Sequence, residues 1–182
     1  MRLLYTTITS TFLVSVITLL AVIRITQNIC TKPQDENGLL YSFCSSQVYY
    51  STIADGNTIQ DEDFTRYINC NQLNGKDILV MYIPEYSCES CVKAVINTIN
   101  EYIHVKNNVN VLFLIADSQV DYPEIGANSL KVNNGIGIGI DSIQLPVVFI
   151  YNEHVKHLLI PDVGLKRALE FWLEAINERY SL

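Results

Sequence analysis

Residues 78–91 read ILVMYIPEYSCESC, and this stretch decides the fold. Its first six residues, from Ile78 to Ile83, form a continuous apolar run, which is typical of a central strand buried on both faces. Cys88 and Cys91 follow, separated by two residues. Apolar residues then recur at helical spacing from Val92 onward. The sequence therefore predicts a buried strand, a CxxC pair and a helix in direct succession.

The chain continues this alternation towards its C-terminus. Further strands are predicted at Val109–Ala116, Val147–Tyr151 and Val155–Ile160, and a final amphipathic helix at Gly164–Arg179. The helical crossover makes the first two strands parallel, and the tight turn at Asn152 makes the last two antiparallel. The predicted fold class is therefore α/β, with a central mixed sheet and helices on its faces.

The N-terminal part of the chain is apolar and contains no charged residue between Leu3 and Ile23. As a helix rising about 1.5 Å per residue, this run is about 30 Å long, which is enough to cross a bilayer. The residues after it offer no cleavage site of small residues, which favours an uncleaved signal anchor over a cleaved signal peptide. We predict an N-terminal transmembrane helix within residues 1–26, with the rest of the chain exported.

The segment between the anchor and the CxxC pair is mixed in character. Residues 27–37 are polar and rich in turn formers, so they are predicted to be a linker, and the domain is predicted over residues 38–182. Gln47–Ile53 has the β-branched and aromatic content of a strand. A short helix is predicted to open at Asp61, with acidic residues in its first turn.

Charge and composition exclude several function classes. The 182 residues include 12 Lys and Arg against 19 Asp and Glu, a net charge of -7, and 49% of them are hydrophobic. Nucleic-acid binding needs a basic face, which this chain lacks the charge to build. A disordered chain would be poorer in apolar residues. The composition therefore indicates a folded, acidic domain that does not bind nucleic acid.

The junction between strand and helix favours thiol chemistry at the cysteine pair. A helix N-terminus offers unpaired N–H donors and a partial positive charge, which stabilise a thiolate and lower the pKa of the first cysteine. A strand, a CxxC pair and a helix in this order indicate a redox centre. Three alternatives stay open: half of a zinc site joined by Cys70 and His104, a purely structural disulfide, and two reduced thiols in a cytosolic domain.

With these features the chain resembles the thioredoxin-like superfamily over residues 75–180, and is most similar to its membrane-anchored branch related to TlpA and ResA. A Gly-Lys turn precedes the first central strand, as in that branch, and Pro146 stands where the family has its cis-proline. The resemblance implies a thioredoxin-like three-layer sandwich. It also implies that Cys88 is the attacking thiolate and Cys91 the resolving thiol. Pro146, with Leu145 before it, would position the substrate.

Several residues depart from the family's pattern. Ser87 replaces the usual Trp before the first cysteine, Ser90 replaces a frequent Pro, and Leu145 stands where a small residue is common. Glu89 adds a negative charge beside the thiolate, and we expect it to raise the pKa of Cys88 and offset part of the helix effect. These features indicate a reducing or weakly active centre rather than a strong oxidant.

The remaining motifs point to packing and to further thiols. Gly135–Ile140 reads GIGIGI, whereas a dinucleotide loop needs G-x-G-x-x-G opening a helix. We therefore expect a strand or loop that packs close to another backbone beside the active site. No Pro-x-x-x-Thr-x-x-Cys pattern surrounds Cys88, which disfavours a peroxiredoxin. Two of Cys30, Cys44 and Cys70 could pair in an oxidising compartment, and the sequence does not say which.

The sequence thus predicts a membrane-anchored, bacterial thiol–disulfide oxidoreductase whose domain faces the periplasm or the cell exterior. Its expected partners are protein thiols and disulfides, the membrane through the N-terminal helix, and a membrane electron donor. No cofactor, metal or nucleic acid is expected. The alternative function is that of a redox-inactive, thioredoxin-fold binding module whose cysteines do not turn over.

Overall fold

The computed structural model describes residues 36–106, 110–116, 121–126, 128–132 and 135–180. The chain divides into two units, residues 1–42 and 43–182, and the sheet belongs to the second.

The predicted anchor, residues 1–26, lies outside the described residues. So does the predicted linker, residues 27–37, apart from its last two residues, which are helical. In the part of the chain that is described, no helix combines the length and apolar character needed to span a bilayer.

Helices and strands alternate along the described part of the chain. The helices are α1 (Glu36–Ala54), α2 (Glu62–Cys70), α3 (Glu89–Lys106) and α4 (Lys166–Tyr180). The strands are β1 (Ile78–Ile83), β2 (Val111–Ala116), β3 (Ser129–Val132), β4 (Val147–Asn152) and β5 (His154–Leu159). Short 3-10 turns lie at Pro123–Ile125 and Val163–Leu165. The strand and the helix predicted on either side of the CxxC pair are confirmed, as is the short helix after Asp61.

The strands form one mixed sheet in the order β3-β2-β1-β4-β5. β2 pairs in parallel with both β1 and β3, whereas β4 pairs antiparallel with β1 and β5. The predicted parallel and antiparallel pairs are therefore confirmed. Strand β3 was not expected from the sequence, because it has only four residues, of which Val132 alone is buried, and carries no long apolar pattern.

Helices cover both faces of the sheet, which gives three layers: helices, sheet and helices. The predicted α/β fold with a central mixed sheet is therefore confirmed. Successive side chains of β1 point to opposite faces, and all of them are buried. Leu79 and Met81 pack with α3 and α4. Val80 and Tyr82 pack on the other face with α2, the C-terminal half of α1 and the loop 136–143. Burial on both faces explains why the run at β1 is uninterrupted by polar residues.

The strand predicted at Gln47–Ile53 is wrong, because the segment lies inside α1. Tyr50 and Ala54, four residues apart, share one helical face and pack against the core. Gln47 adds a second interaction. Its Nε2 donates to the Ile160 carbonyl at 2.9 Å and its Oε1 accepts from the Ile160 N–H at 2.8 Å. The helix thereby satisfies backbone groups next to the edge strand β5, and packing overrides the β propensity of the segment.

The Gly135–Ile140 segment is a loop whose three isoleucines are buried. Gly137 and Gly139 have φ values of 69° and 84°, in the left-handed region that favours glycine. A Cβ at Gly137 would lie 2.9 Å from the Cβ of Gln60, closer than such contacts allow. The segment is therefore one of the two expected forms, a loop, but its glycines make room for the side chains of Gln60 and Ile53 rather than for another backbone.

Candidate functional site

The two cysteines lie where the chain leaves the sheet and begins a helix. β1 ends at Ile83, and Pro84 cannot extend the ladder because it lacks an N–H. In the following turn the Ser87 N–H donates to the Pro84 carbonyl at 3.2 Å. The Cys88 carbonyl accepts from the Val92 N–H at 3.0 Å, and α3 begins at the next residue. Cys88 therefore occupies the N-cap of α3 and is exposed to solvent.

Two further segments meet at this end of the sheet. β4 begins here, since its Val147 pairs with Tyr82 near the end of β1, and Pro146 precedes it directly. β5 is antiparallel to β4 and therefore ends on the same side, which brings the segment 161–163 to this end. The topology thus gathers Cys88, Pro146 and the segment after β5 at one end of the molecule.

Cys88 is surrounded by hydrogen-bond donors. Hydrogen bonds from the Cys91 thiol and the Ser90 hydroxyl, and from the backbone N–H groups of both residues, lower the pKa of Cys88 from 9.0 to about 7. The Ser90 Oγ lies 3.2 Å from the Cys88 Sγ. With this pKa, about half of the Cys88 side chains are thiolate at pH 7. The expected fall in the pKa of the first cysteine is confirmed.

Cys91 lies one helical turn further on and is half-buried. Its pKa is raised, first by its hydrogen bond to Cys88, then by burial and by the negative charge of Cys88, with a smaller effect of Asp162. The two thiols therefore differ in the way that nucleophilic attack and later resolution require. Asp162, 71 residues along the chain from Cys91, was missed by the sequence analysis, because only the fold brings it near.

Glu89 has less influence on the thiolate than expected. Its carboxylate Oε1 lies 2.6 Å from the Lys93 Nζ, one turn along α3. Glu89 is not among the groups that act on the pKa of Cys88. The expectation that Glu89 raises this pKa is therefore wrong, since hydrogen bonds from Cys91 and Ser90, with burial as a smaller opposing effect, account for the pKa of Cys88.

Pro146 is placed at the expected end of the sheet but with a different peptide geometry. The Leu145–Pro146 bond is trans, so the expected cis-proline is wrong. An X–Pro bond prefers the trans isomer by about 0.5–1 kcal/mol. In either isomer proline has no backbone N–H to donate to a neighbouring strand. Pro146 is buried, whereas the Leu145 side chain is 46% exposed.

Two serines flank Cys88, and they differ in their contacts. Ser90 bonds the Cys88 sulfur, a role the sequence analysis did not assign because it read Ser90 only as a missing proline. Ser87 has its Oγ buried, and no described residue gives it a hydrogen-bond partner. The signal for Ser90 was available, since a hydroxyl two residues after an N-cap cysteine lies within reach of its sulfur.

The other thiols do not join this site. All four described cysteines are free, so Cys88 and Cys91 are seen as a reduced pair. Cys44 and Cys70 are exposed and unpaired, and Cys30 lies outside the described residues. Among the side chains that the structure describes, no three His, Cys, Asp or Glu come together to hold a metal ion.

Comparisons with known proteins complete the description. No protein-family profile and no curated protein matches the chain. One similar solved structure is a secreted Mycobacterium tuberculosis disulfide oxidoreductase homologous to E. coli DsbE. It is 12% identical, covers 58% of this chain and 85% of its own, and has a TM-score of 0.37. Another is a DsbE-type thiol:disulfide interchange protein from Chlorobium tepidum, 13% identical, covering 58% of this chain and 83% of its own, with a TM-score of 0.35.

Proposed function

We propose that this chain is a thiol–disulfide oxidoreductase that reduces or exchanges protein disulfides through Cys88 and Cys91. One observation carries the proposal. An exposed thiol at a helix N-cap has its pKa lowered to about 7, beside a half-buried thiol whose pKa is raised. A structural disulfide needs no such difference, whereas a nucleophile and its resolving partner do.

The reaction begins when the Cys88 thiolate attacks one sulfur of a substrate disulfide. That disulfide breaks, a bond forms between Cys88 and the substrate, and the second substrate sulfur leaves as a thiolate that takes up a proton. Cys91 then loses its proton and attacks the Cys88 sulfur, which releases the remaining substrate thiolate. The substrate gains two electrons and two protons, and the protein ends with a Cys88–Cys91 disulfide.

The order of the two attacks follows from the causes of the pKa shifts. The hydrogen bond to Cys88 and the charge of its thiolate are among the causes that raise the pKa of Cys91. Once Cys88 is bonded to substrate its charge is gone, so both of these effects on Cys91 end. Cys91 therefore becomes easier to deprotonate only after the mixed disulfide has formed.

Exposed apolar side chains at the same end of the molecule suit an extended substrate chain. Tyr86 is 70% exposed, Leu145 46% and Val163 51%. Tyr86 precedes Cys88 by two residues. Leu145 and Pro146 lie directly before β4, which begins beside the end of β1. These side chains would hold the substrate next to the Cys88 sulfur, with Leu145 and Pro146 as its positioning residues.

We also propose, from the sequence, where in the cell this chain acts. The apolar run from Leu3 to Ile23 would anchor the chain in a membrane, with the acidic domain outside the cytoplasm. Disulfide chemistry in such a compartment needs a source of electrons. A dithiol donor in the membrane would supply two electrons and two protons to reduce the Cys88–Cys91 disulfide after each turnover.

Insulin reduction with dithiothreitol as electron donor tests the function. We expect the full-length chain in detergent to accelerate insulin reduction, and Cys88→Ser or Cys91→Ser to remove the acceleration. Cys44→Ser and Cys70→Ser are matched controls with exposed thiols, and we expect them to keep full activity. An unchanged rate in all five proteins, equal to that of dithiothreitol alone, would favour the redox-inactive binding module instead.

A further inference from the structure

A cavity of about 440 Å³ lies at the end of β1 that leads to the cysteines. One wall comes from the end of β1 and the following turn, and includes Tyr82, Glu85 and Tyr86. The opposite wall comes from the loop before β4, and includes Asp141 and Gln144. The lining of the cavity therefore comes within two residues of Cys88 on one side and within two residues of Pro146 on the other.

The charges around this cavity have one sign. Glu85 and Asp141 both line it, and no Lys, Arg or His does so among the described residues. The Asp141 Oδ1 accepts from the Ile136 N–H at 2.7 Å and from the Gly137 N–H at 3.2 Å. These bonds fix the carboxylate in place without neutralising it.

The side chain of Tyr82 reaches the same space. Tyr82 is only 2% exposed, lines the cavity, and makes no side-chain hydrogen bond within the described part of the chain. Burial and the charge of Asp141 raise its pKa to about 12, so the hydroxyl stays neutral. Because its side chain lines the cavity, the hydroxyl is available to a ligand or water there. Its lone pairs can accept hydrogen bonds from a donor that enters the cavity.

We propose that this cavity binds a lysine or arginine side chain of the substrate polypeptide, close in sequence to the reacting cysteine. The inference rests on the proposed function and adds a charge preference to it. Three residues of chain span at most about 11 Å, so Glu85 is within reach of a side chain near a cysteine bound to Cys88. The ammonium or guanidinium group would meet two carboxylates and the Tyr82 hydroxyl, and the exposed ring of Tyr86 offers a cation–π contact at the entrance.

Two short disulfide peptides test the proposal, identical except for Lys or Gln two residues before the first cysteine. Binding is measured by fluorescence anisotropy with the full-length Cys88→Ser/Cys91→Ser protein in detergent, so that no exchange occurs. We expect the Lys peptide to bind about three- to fivefold more tightly at low ionic strength, which is the range of a partly exposed ion pair. High salt should remove the difference.

Variants separate this cavity from the general acidity of the chain. Asp141→Asn keeps an oxygen for the two backbone N–H groups but removes the negative charge. Glu85→Gln removes the negative charge from the opposite wall of the cavity. Both should abolish most of the Lys preference. Glu178→Gln on α4 removes the same net charge away from the cavity and should leave the preference intact.

The rate of peptide reduction by the unmodified protein separates the two proposals. A Lys preference in binding, without any reduction of either peptide, would support the cavity and refute the oxidoreductase. Reduction of both peptides with equal affinity would refute the cavity and leave the oxidoreductase standing. Lack of measurable binding of the Lys peptide, or a preference that survives Asp141→Asn, would also overturn the cavity as a cation site.

Discussion

Replacing Ser90 with alanine tests how the thiolate of Cys88 is stabilised. The Ser90 Oγ lies 3.2 Å from the Cys88 Sγ, and its hydroxyl is the second-largest of the effects that bring the pKa of Cys88 to about 7. Four hydrogen-bonding groups lower this pKa, and the substitution removes one of them. We expect the pKa to rise by about half a unit, because a donor to the charged form is lost. About a quarter of the Cys88 side chains would then be thiolate at pH 7, instead of about half.

The assay is the rate of iodoacetamide alkylation of reduced protein as a function of pH, followed by mass spectrometry of the peptide that contains Cys88. Only the thiolate reacts, so the rate rises with pH and levels off above the pKa. In Ser90→Ala the midpoint should move to higher pH. The rate well below the midpoint should fall about threefold, since the thiolate fraction there changes tenfold per pKa unit.

Ser87→Ala is the matched control. It removes the same hydroxyl group from a residue next to Cys88, but the Ser87 Oγ is buried and has no hydrogen-bond partner in the part of the chain that the structure describes. The midpoint should not move, and the free energy of unfolding should stay equal or rise, because an unsatisfied buried hydroxyl is removed. An unchanged midpoint in Ser90→Ala, or an equal shift in Ser87→Ala, would refute the role assigned to Ser90.

Two further predictions concern the redox poise and the core. Titration of the Cys88–Cys91 pair against glutathione, read by mass spectrometry, should give a potential below about -200 mV, closer to thioredoxin than to DsbA, because the pKa of Cys88 is not strongly depressed. A value near -120 mV would contradict a reducing centre. Phe149→Ala should lower the free energy of unfolding by about 3–5 kcal/mol in a urea titration, since Phe149 is fully buried in the central strand β4. Phe171→Ala on α4, where Phe171 is 65% exposed, should change it by less than about 0.5 kcal/mol, and equal losses would contradict the described core.

The centre of the fold could be predicted from the sequence because its elements carry their own signals. The run at β1 is apolar without interruption, since both of its faces are buried, and the CxxC pair follows it before a helical pattern. These signals lie within a few residues of each other and need no information from the rest of the chain. The parallel pairing of β1 with β2 and the placement of the cysteine pair at the start of a helix follow from them, whereas the pairing of β4 with β1 does not.

The parts that the sequence could not give depend on contacts between distant residues. Gln47–Ile53 suits a strand by composition, and its helical state depends on packing and on the pairing of Gln47 with the backbone of Ile160. Strand β3 is held by backbone pairing with β2, which leaves little trace in side-chain pattern. Asp162 acts on Cys91 only because β5 ends beside the start of α3.

The most direct test of the account is to identify the sulfur that carries the mixed disulfide. Full-length Cys91→Ser protein is incubated with insulin, alkylated, and digested under non-reducing conditions for mass spectrometry. The account predicts one insulin chain linked to Cys88, because Cys88 attacks and no Cys91 thiol can release it, and none in Cys88→Ser/Cys91→Ser. Linkage to Cys44 or Cys70 instead, or no adduct above that double variant, would contradict it.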